Sequence, residues 1–171
     1  EYYARMLYDL HGLETTVLRY FNVYGPRQDP SSPYSGVISI FMTKALLNEQ
    51  AVIYGDGNQS RDFIYVQDVV RANLLAATTG NIGGQVTNIG SGESVRINDL
   101  WRAVCALSGR NRKPRHTRKR PGDIVASLAG VGRAKELMDF ECETSFETGL
   151  KSTFEWYRKN QMSEVRSHKQ K

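Results

Sequence analysis

Short strand-like runs alternate with helix-like segments along the chain, and this alternation predicts an α/β fold. Runs of about five β-branched, aromatic or apolar residues recur, as in Gln85-Val86-Thr87-Asn88-Ile89. Between them lie longer segments with apolar residues at helical spacing, such as Ile38, Phe41, Ala45 and Leu46. Glycine and proline punctuate the boundaries. The chain has 171 residues and is 40% hydrophobic, which is enough for one ordinary core.

The elements follow in order. Residues 1–12 are rich in helix formers and end in the glycine stop Gly12. Glu14 to Phe21 has strand composition and runs through Asn22-Val23-Tyr24 to a stop at Gly25-Pro26. After a loop, Val37 to Glu49 reads as a helix. Ala51 to Tyr54 reads as a short strand ending in the turn Gly55-Asp56-Gly57. Phe63 to Val66 is a further strand. Asp68 stands where it would cap a helix over Val69 to Thr78, closed by Gly80. Gln85 to Ile89 and Val95 to Ile97 are strands, and Asn98 or Asp99 is placed to cap the helix holding Leu100, Trp101, Val104 and Leu107. A short helix over Val131 to Met138 and a last one over about Ser145 to Lys159 precede a polar, frayed tail.

Composition narrows the function classes. No apolar run approaches the ~18–20 residues of a membrane span, and no signal-peptide pattern leads the chain. Two cysteines, Cys105 and Cys142, form no Cys-x-x-Cys pair and are too few for a disulfide framework, so a reducing cytoplasm is the expected compartment. The net charge is +5, yet Arg110 to Arg120 alone contains seven Lys or Arg and no acid. That run contains no Phe, Tyr or Trp on which bases would stack, so nucleic acid is not the expected partner. The chain opens on Glu1 inside a helix pattern, and its strands are few for a complete doubly wound sheet, so it reads as part of a larger α/β molecule.

Local chemistry is sparse. Gly90-Ser91-Gly92 follows a strand, but Val95 replaces the third glycine of a dinucleotide fingerprint and no acidic ribose partner follows, so it reads as a turn. His11, His116, His168 and the cysteines lack metal-ligand spacing, and no nucleophile elbow is present. Three features remain: Asn22 after a strand, Arg61 beside Asp62 at a strand entrance, and Arg120 with Asp123 around Pro121-Gly122. Two arginines and an amide suit a diphosphate, because guanidinium forks match phosphate oxygens. Three unrelated surface features is the other reading of the same spacing.

Longer segments are more specific. Arg19-Tyr20-Phe21-Asn22-Val23-Tyr24-Gly25-Pro26-Arg27-Gln28 resembles the R-Y-F-N-V-Y-G-P-R segment of the NAD-dependent epimerase/dehydratase family, the extended short-chain dehydrogenase/reductases acting on nucleotide sugars. Tyr54-Gly55-Asp56-Gly57 with Arg61-Asp62-Phe63-Ile64-Tyr65-Val66-Gln67-Asp68-Val69, Asn88-Ile89-Gly90-Ser91-Gly92, Arg120-Pro121-Gly122-Asp123 and Gly149-Leu150-Lys151…Glu155-Trp156-Tyr157 continue the series in order. Within that family the first segment is most similar to UDP-hexose and UDP-N-acetylhexosamine 4-epimerases.

The resemblance implies the C-terminal part of an extended short-chain dehydrogenase: the end of a Rossmann sheet plus a small α/β substrate-binding domain. Residues 1–160 would form the substrate-binding portion, residues 1–25 being the last piece of the Rossmann part, and 161–171 a polar tail. It implies that Asn22 bonds the sugar or adjacent phosphate, and that Val37 and Phe41 flank the nucleotide. Val52, Ile53 and Tyr54 would line the uracil pocket, Arg61 and Arg120 pair with the diphosphate, and Asp123 hold the uridine ribose. Tyr20 and Phe21 would lie near the nicotinamide of NAD. The complete enzyme would be a homodimer that oxidises the sugar transiently at C4 and returns hydride to the other face. The family's catalytic Tyr-x-x-x-Lys and glycine-rich NAD fingerprint would lie upstream of Glu1, so no turnover is expected from this polypeptide alone. Other members of the family, dehydratases or decarboxylases, and a non-catalytic nucleotide-binding fragment are the alternatives. Ala129-Gly130-Val131-Gly132-Arg133 departs from the usual A-D-x-S-K and lacks its capping groups.

Overall fold

The chain opens with a helix that buries none of its residues: α1 (Tyr2–His11) is closed by left-handed Gly12 (φ 65°), whose N–H donates to Tyr8 O while Leu13 N donates to Leu7 O. Thr15 Oγ1 donates to Ala4 O at 2.8 Å and ties this helix to the strand that follows. The structure, a computed structural model, describes residues 1–32 and 36–168, with side chains through residue 160. It is α/β, as the alternation predicts. The chain divides into two units, Glu1–Val23, Asp62–Glu93 and Leu128–Thr144 in the first, and Tyr24–Arg61, Ser94–Ser127 and Ser145–Lys171 in the second.

In the first unit β1 (Thr16–Tyr20) pairs in parallel with β6 (Gln85–Ile89), Thr16 opposite Gln85 and Tyr20 opposite Ile89. Parallel neighbours require a crossover, and the intervening chain supplies it with a helix, α3 (Val66–Thr78). Asn22 and Val23, the first residues of β2 (Asn22–Tyr24), lie beside β5 (Phe63–Tyr65). Ile64, Val69, Ala72 and Ile89 are buried together with Ala134 and Met138 of α5 (Gly132–Met138) and with Phe140. The apolar spacing of α3 thus faces the sheet while Val70 and Leu74 face outward.

The second unit rests on three helices: α2 (Val37–Leu46), α4 (Ile97–Ser108) and α6 (Phe146–His168). Phe41 of α2 meets Trp101 of α4 edge-on at 5.1 Å between ring centres, a favoured aromatic geometry. The Trp101 indole, buried, donates to Arg112 O at 2.8 Å, which satisfies its one polar atom. Short strands lie beside the helices: β3 (Val52–Tyr54) runs parallel to β8 (Arg115–Thr117), and β4 (Ser60–Arg61) antiparallel to β7 (Val95–Arg96). Gly57 is obligatory in the turn after β3. Its φ is 76°, and an added Cβ would stand 2.1 Å from Asn98 Oδ1.

Several sequence expectations change. Asp68 does not cap its helix: α3 begins at Val66, and Tyr65 occupies the N-cap without a side-chain bond. Asp68 instead accepts from the backbone N–H groups of Glu143 at 3.0 Å and Thr144 at 3.2 Å, a distant demand that no local pattern announces. The helix end is Thr79, not Gly80. Neither Asn98 nor Asp99 caps α4, which starts at Ile97 after Arg96. Asn98 is used to hold the preceding turn, donating to Asp56 O at 2.9 Å. Strand β8 lies inside the basic run, where its edge pairing to β3 comes from another part of the chain. Helix α6 continues to His168 rather than ending near Lys159.

Candidate functional site

In the second unit the sequence candidates gather around β3, β4 and the turn at Arg120 to Asp123. Val52 is half-buried, Ile53 buried and Tyr54 exposed, the alternation of a strand with one face in the core. Asp56 in the following turn accepts from Asn58 N at 3.0 Å and Asn58 Nδ2 at 2.9 Å, and these bonds hold its carboxyl below the usual range. Gln59 Nε2 donates back to Tyr54 O at 2.7 Å.

Arg120-Pro121-Gly122-Asp123 forms a tight turn closed by Asp123 N donating to Arg120 O at 3.2 Å. Proline at the second position and a left-handed glycine (φ 77°) at the third are what a type II turn demands. The turn sets two candidate side chains, Arg120 and Asp123, close together on the chain. The Arg120 guanidinium lies 3.7 Å from the centre of the Tyr54 ring. Its proximity draws the Tyr54 phenol below its usual pKa.

Arg61 is held more firmly. Its NH2 donates to Asp123 Oδ1 at 2.5 Å, and its NH1 to the carbonyls of Ile124 at 2.6 Å and Ser60 at 2.8 Å. The Arg61 and Asp123 side chains are 16% and 22% exposed, so the pair is partly desolvated and its charges are incompletely screened by water. The backbone locks the same geometry: Ser60 N donates to Val125 O at 2.9 Å and Ser127 N to Ser60 O at 3.1 Å. Arg61, Asp123, Arg120 and Tyr54 therefore form one connected polar group, two cations and one anion, on the second unit. Val37 is half-buried at the start of α2, behind Gly36. Phe41 and Ile53, each 1% exposed, belong to the core by their side chains.

The remaining candidates lie in the first unit. Asn22 donates twice to Asp62 O, from its backbone N at 3.1 Å and its Nδ2 at 2.6 Å, leaving the amide oxygen as its acceptor. Tyr20 is exposed and its hydroxyl donates to Asn73 Oδ1 at 2.8 Å. Phe21 is half-buried and its N–H donates to Ile89 O at 2.9 Å.

Asp62, noted in the sequence beside Arg61 at a strand entrance, has a role that the sequence did not assign. It is completely buried and accepts from Ser91 N and Ser91 Oγ, both at 2.8 Å, and from Gly92 N and Ala129 N, both at 3.0 Å. Gly90 admits this approach, since an added Cβ would lie 2.9 Å from Asp62 Oδ2 and 2.4 Å from Ala129 Cβ. The Ser91 and Gly92 amides thus point inward to a carboxylate and are not free to cradle a pyrophosphate. The available signal was a charged residue directly preceding the apolar run Phe63-Ile64-Tyr65-Val66. Among the described residues no group of three or more His, Cys, Asp or Glu is arranged to hold a metal ion. No helix among them is long and apolar enough to cross a membrane.

Residues 1–90 match the family described as NAD dependent epimerase/dehydratase. A putative UDP-glucose 4-epimerase of Methanocaldococcus jannaschii is 37% identical over 160 residues, covering 94% of this chain and 51% of that protein. A UDP-N-acetyl-alpha-D-glucosaminuronate decarboxylase of Bacillus cytotoxicus is also 37% identical, over 88% of this chain and 48% of its own length. Among solved structures, the UDP-glucose 4-epimerase of Thermotoga maritima with UDP-glucose superposes with a TM-score of 0.89 at 42% identity, covering 94% of this chain and 51% of that one. The chain spans about half the length of the curated relatives it matches.

Proposed function

Because the chain belongs to the NAD-dependent epimerase/dehydratase family, we propose that it is the nucleotide-sugar-binding portion of a 4-epimerase acting on a UDP-hexose or UDP-N-acetylhexosamine. The observation that carries the proposal is the connected group in the second unit: two arginines, Arg61 and Arg120, with Asp123 tied to Arg120 by a tight turn and paired with Arg61. Guanidinium forks are suited to the two phosphates, and a carboxylate accepts from ribose hydroxyls. The exposed ring of Tyr54 and the backbone of Val52 and Ile53 offer a flat apolar face and base-edge hydrogen bonds to uracil. Val37 and Phe41 support the nucleotide from α2, Phe41 through the packing that fixes the helix. The surplus of cation in the basic run favours approach of a dianion.

Asn22 takes the sugar side in this proposal, with its amide oriented by the Asp62 carbonyl. NAD, when bound to the complete enzyme, would accept and return the hydride at sugar C4. This chain's share of that site is Tyr20 and Phe21, since the amides of Ser91 and Gly92 are consumed by Asp62. None of the nine tyrosines is followed four positions later by lysine, so the chain by itself binds and positions without turnover. Homodimerisation of the complete protein and a cytoplasmic location belong to the same proposal. The exposed Tyr2, Tyr3, Met6 and Leu10 of α1 support the first, and the free thiols Cys105 and Cys142 the second. The decarboxylase relative at equal identity keeps a second nucleotide-sugar chemistry in view, and product analysis of the complete enzyme separates the two.

Titration calorimetry of the chain with UDP tests the proposal. Binding is expected, with a loss of about tenfold or more for each of Arg61→Ala and Arg120→Ala, from a charged hydrogen bond of about 1.5–3 kcal/mol. Unchanged affinity in both variants would remove the diphosphate assignment.

A further inference from the structure

We propose that Asp123 is a positioning residue for Arg61 as well as a ribose acceptor, so that the ribose and diphosphate ends of one ligand are recognised cooperatively. The inference rests on the nucleotide-sugar reading above for the identity of the ligand. Arg61 is held by the protein's own groups. Three of its five donor hydrogens are directed into the protein, two to the carbonyls of Ser60 and Ile124 and one to Asp123. The two carbonyls fix the plane of the guanidinium, while the carboxylate neutralises the charge that a diphosphate must meet.

Asp123 therefore acts on an arriving phosphate in two opposed ways. It holds Arg61 in one orientation, and it repels the anion. The opposition is resolved when the carboxylate accepts hydrogen bonds from ribose hydroxyls. Its negative charge is then shared with the sugar, and Arg61 is freed toward phosphate without losing the two carbonyl contacts. Binding at either end strengthens the other by the same factor, because the coupling free energy is reciprocal. The turn makes this exchange local: Asp123 N is tied to Arg120 O at 3.2 Å, so the carboxylate moves little while its partners change. Arg120 lies on the Tyr54 ring, whereas the Arg61 guanidinium meets a carboxylate, which makes Arg61 the arginine whose availability is conditional.

Calorimetry on the 171-residue chain with two probes separates the possibilities. For Asp123→Asn, inorganic pyrophosphate is expected to bind about fivefold more tightly than to the parent chain, while UDP binds about tenfold more weakly. A residue that only holds ribose would leave pyrophosphate unchanged, and one that only holds the fold would weaken both. The unaltered chain supplies a second test that needs no substitution: saturating uridine is expected to raise pyrophosphate affinity by about fivefold. Pyrophosphate affinity that is indifferent to uridine, or that is unchanged or reduced in Asp123→Asn at an unaltered melting temperature, overturns the inference. Failure of UDP to bind the unaltered chain defeats the nucleotide reading instead, and the pyrophosphate comparison still decides whether Asp123 governs Arg61.

Discussion

Replacing Asp62 by alanine should be among the most damaging single changes in the chain. The carboxylate is completely buried and accepts four hydrogen bonds, from Ser91 N, Ser91 Oγ, Gly92 N and Ala129 N. A hydrogen bond to a charged acceptor contributes about 1.5–3 kcal/mol, so simple addition would give about 6–12 kcal/mol. That sum is too large. The four bonds share one charge, whose own desolvation opposes them, and removal of one partner of a buried ionic network costs about 3–5 kcal/mol. The smaller figure is expected, against a total stability for a domain of about 5–15 kcal/mol. In urea, with a slope of about 2 kcal/mol per molar, the midpoint should fall by about 2 M. Hydrogen exchange supplies the local readout, since the amides of Ser91, Gly92 and Ala129 should lose their protection ahead of the rest. Asp62→Asn, which retains one acceptor oxygen, should fall between. A loss under about 1 kcal/mol, or unaltered protection of those three amides, would refute the hub role assigned to Asp62.

Thr87 is the one buried side chain among the described residues whose polar atom finds no partner, so Thr87→Val should stabilise the protein by about 1 kcal/mol in urea melts, and destabilisation would reveal a bond that Oγ1 makes. Burial alone would raise the Asp68 carboxyl pKa, but the hydrogen bonds from Glu143, Thr144 and Arg71 outweigh it and lower the pKa below the ordinary value. A lowered folded-state pKa gives stability that is present above the unfolded carboxylate pKa and lost as pH falls through the folded value, so midpoints should drop below about pH 4, and less steeply in Asp68→Asn. Parallel pH profiles for the two proteins would contradict this. The Cys142 thiol, 3.6 Å from Asp68 Oδ2, is pushed up to about 11 by burial and by that carboxylate. Intact mass after alkylation at pH 8 should show Cys142 unmodified in the folded chain and modified in urea, and rapid native labelling would count against the burial described.

What could be read from the sequence divides by range. The helices over Val37, Leu100 and Phe146 and the strands at Thr16, Val52, Phe63 and Gln85 were legible because periodicity and glycine stops are local signals. Their ends were less so. Asp68 and Asn98 have capping chemistry but serve other segments, and the demand comes from Glu143 and Thr144 in one case and from the Gly55–Gly57 turn in the other, while Asp99 pairs with Arg102 of its own helix. The place of strand β8 in the basic run was not marked for a similar reason: Arg-His-Thr has little strand character, and its pairing with β3 makes it one. At the candidate site, Arg61, Arg120 and Asp123 were legible as residue types, and the Pro-Gly pair already implied the turn joining the last two. Their connection was not. Arg61 and Asp123 stand sixty-two residues apart, and nothing between them in the sequence announces that the carboxylate meets the guanidinium at 2.5 Å.

The central claim, that Arg61, Arg120 and Asp123 hold the nucleotide of a UDP-sugar, is tested most directly by a crystal structure of the chain grown with UDP. Density is expected for the diphosphate on the guanidinium groups of Arg61 and Arg120, for the ribose on the Asp123 carboxylate, and for uracil against the backbone of Val52 to Tyr54. UDP bound with its phosphates away from both arginines, or well-ordered side chains at that site with UDP bound elsewhere, would contradict it.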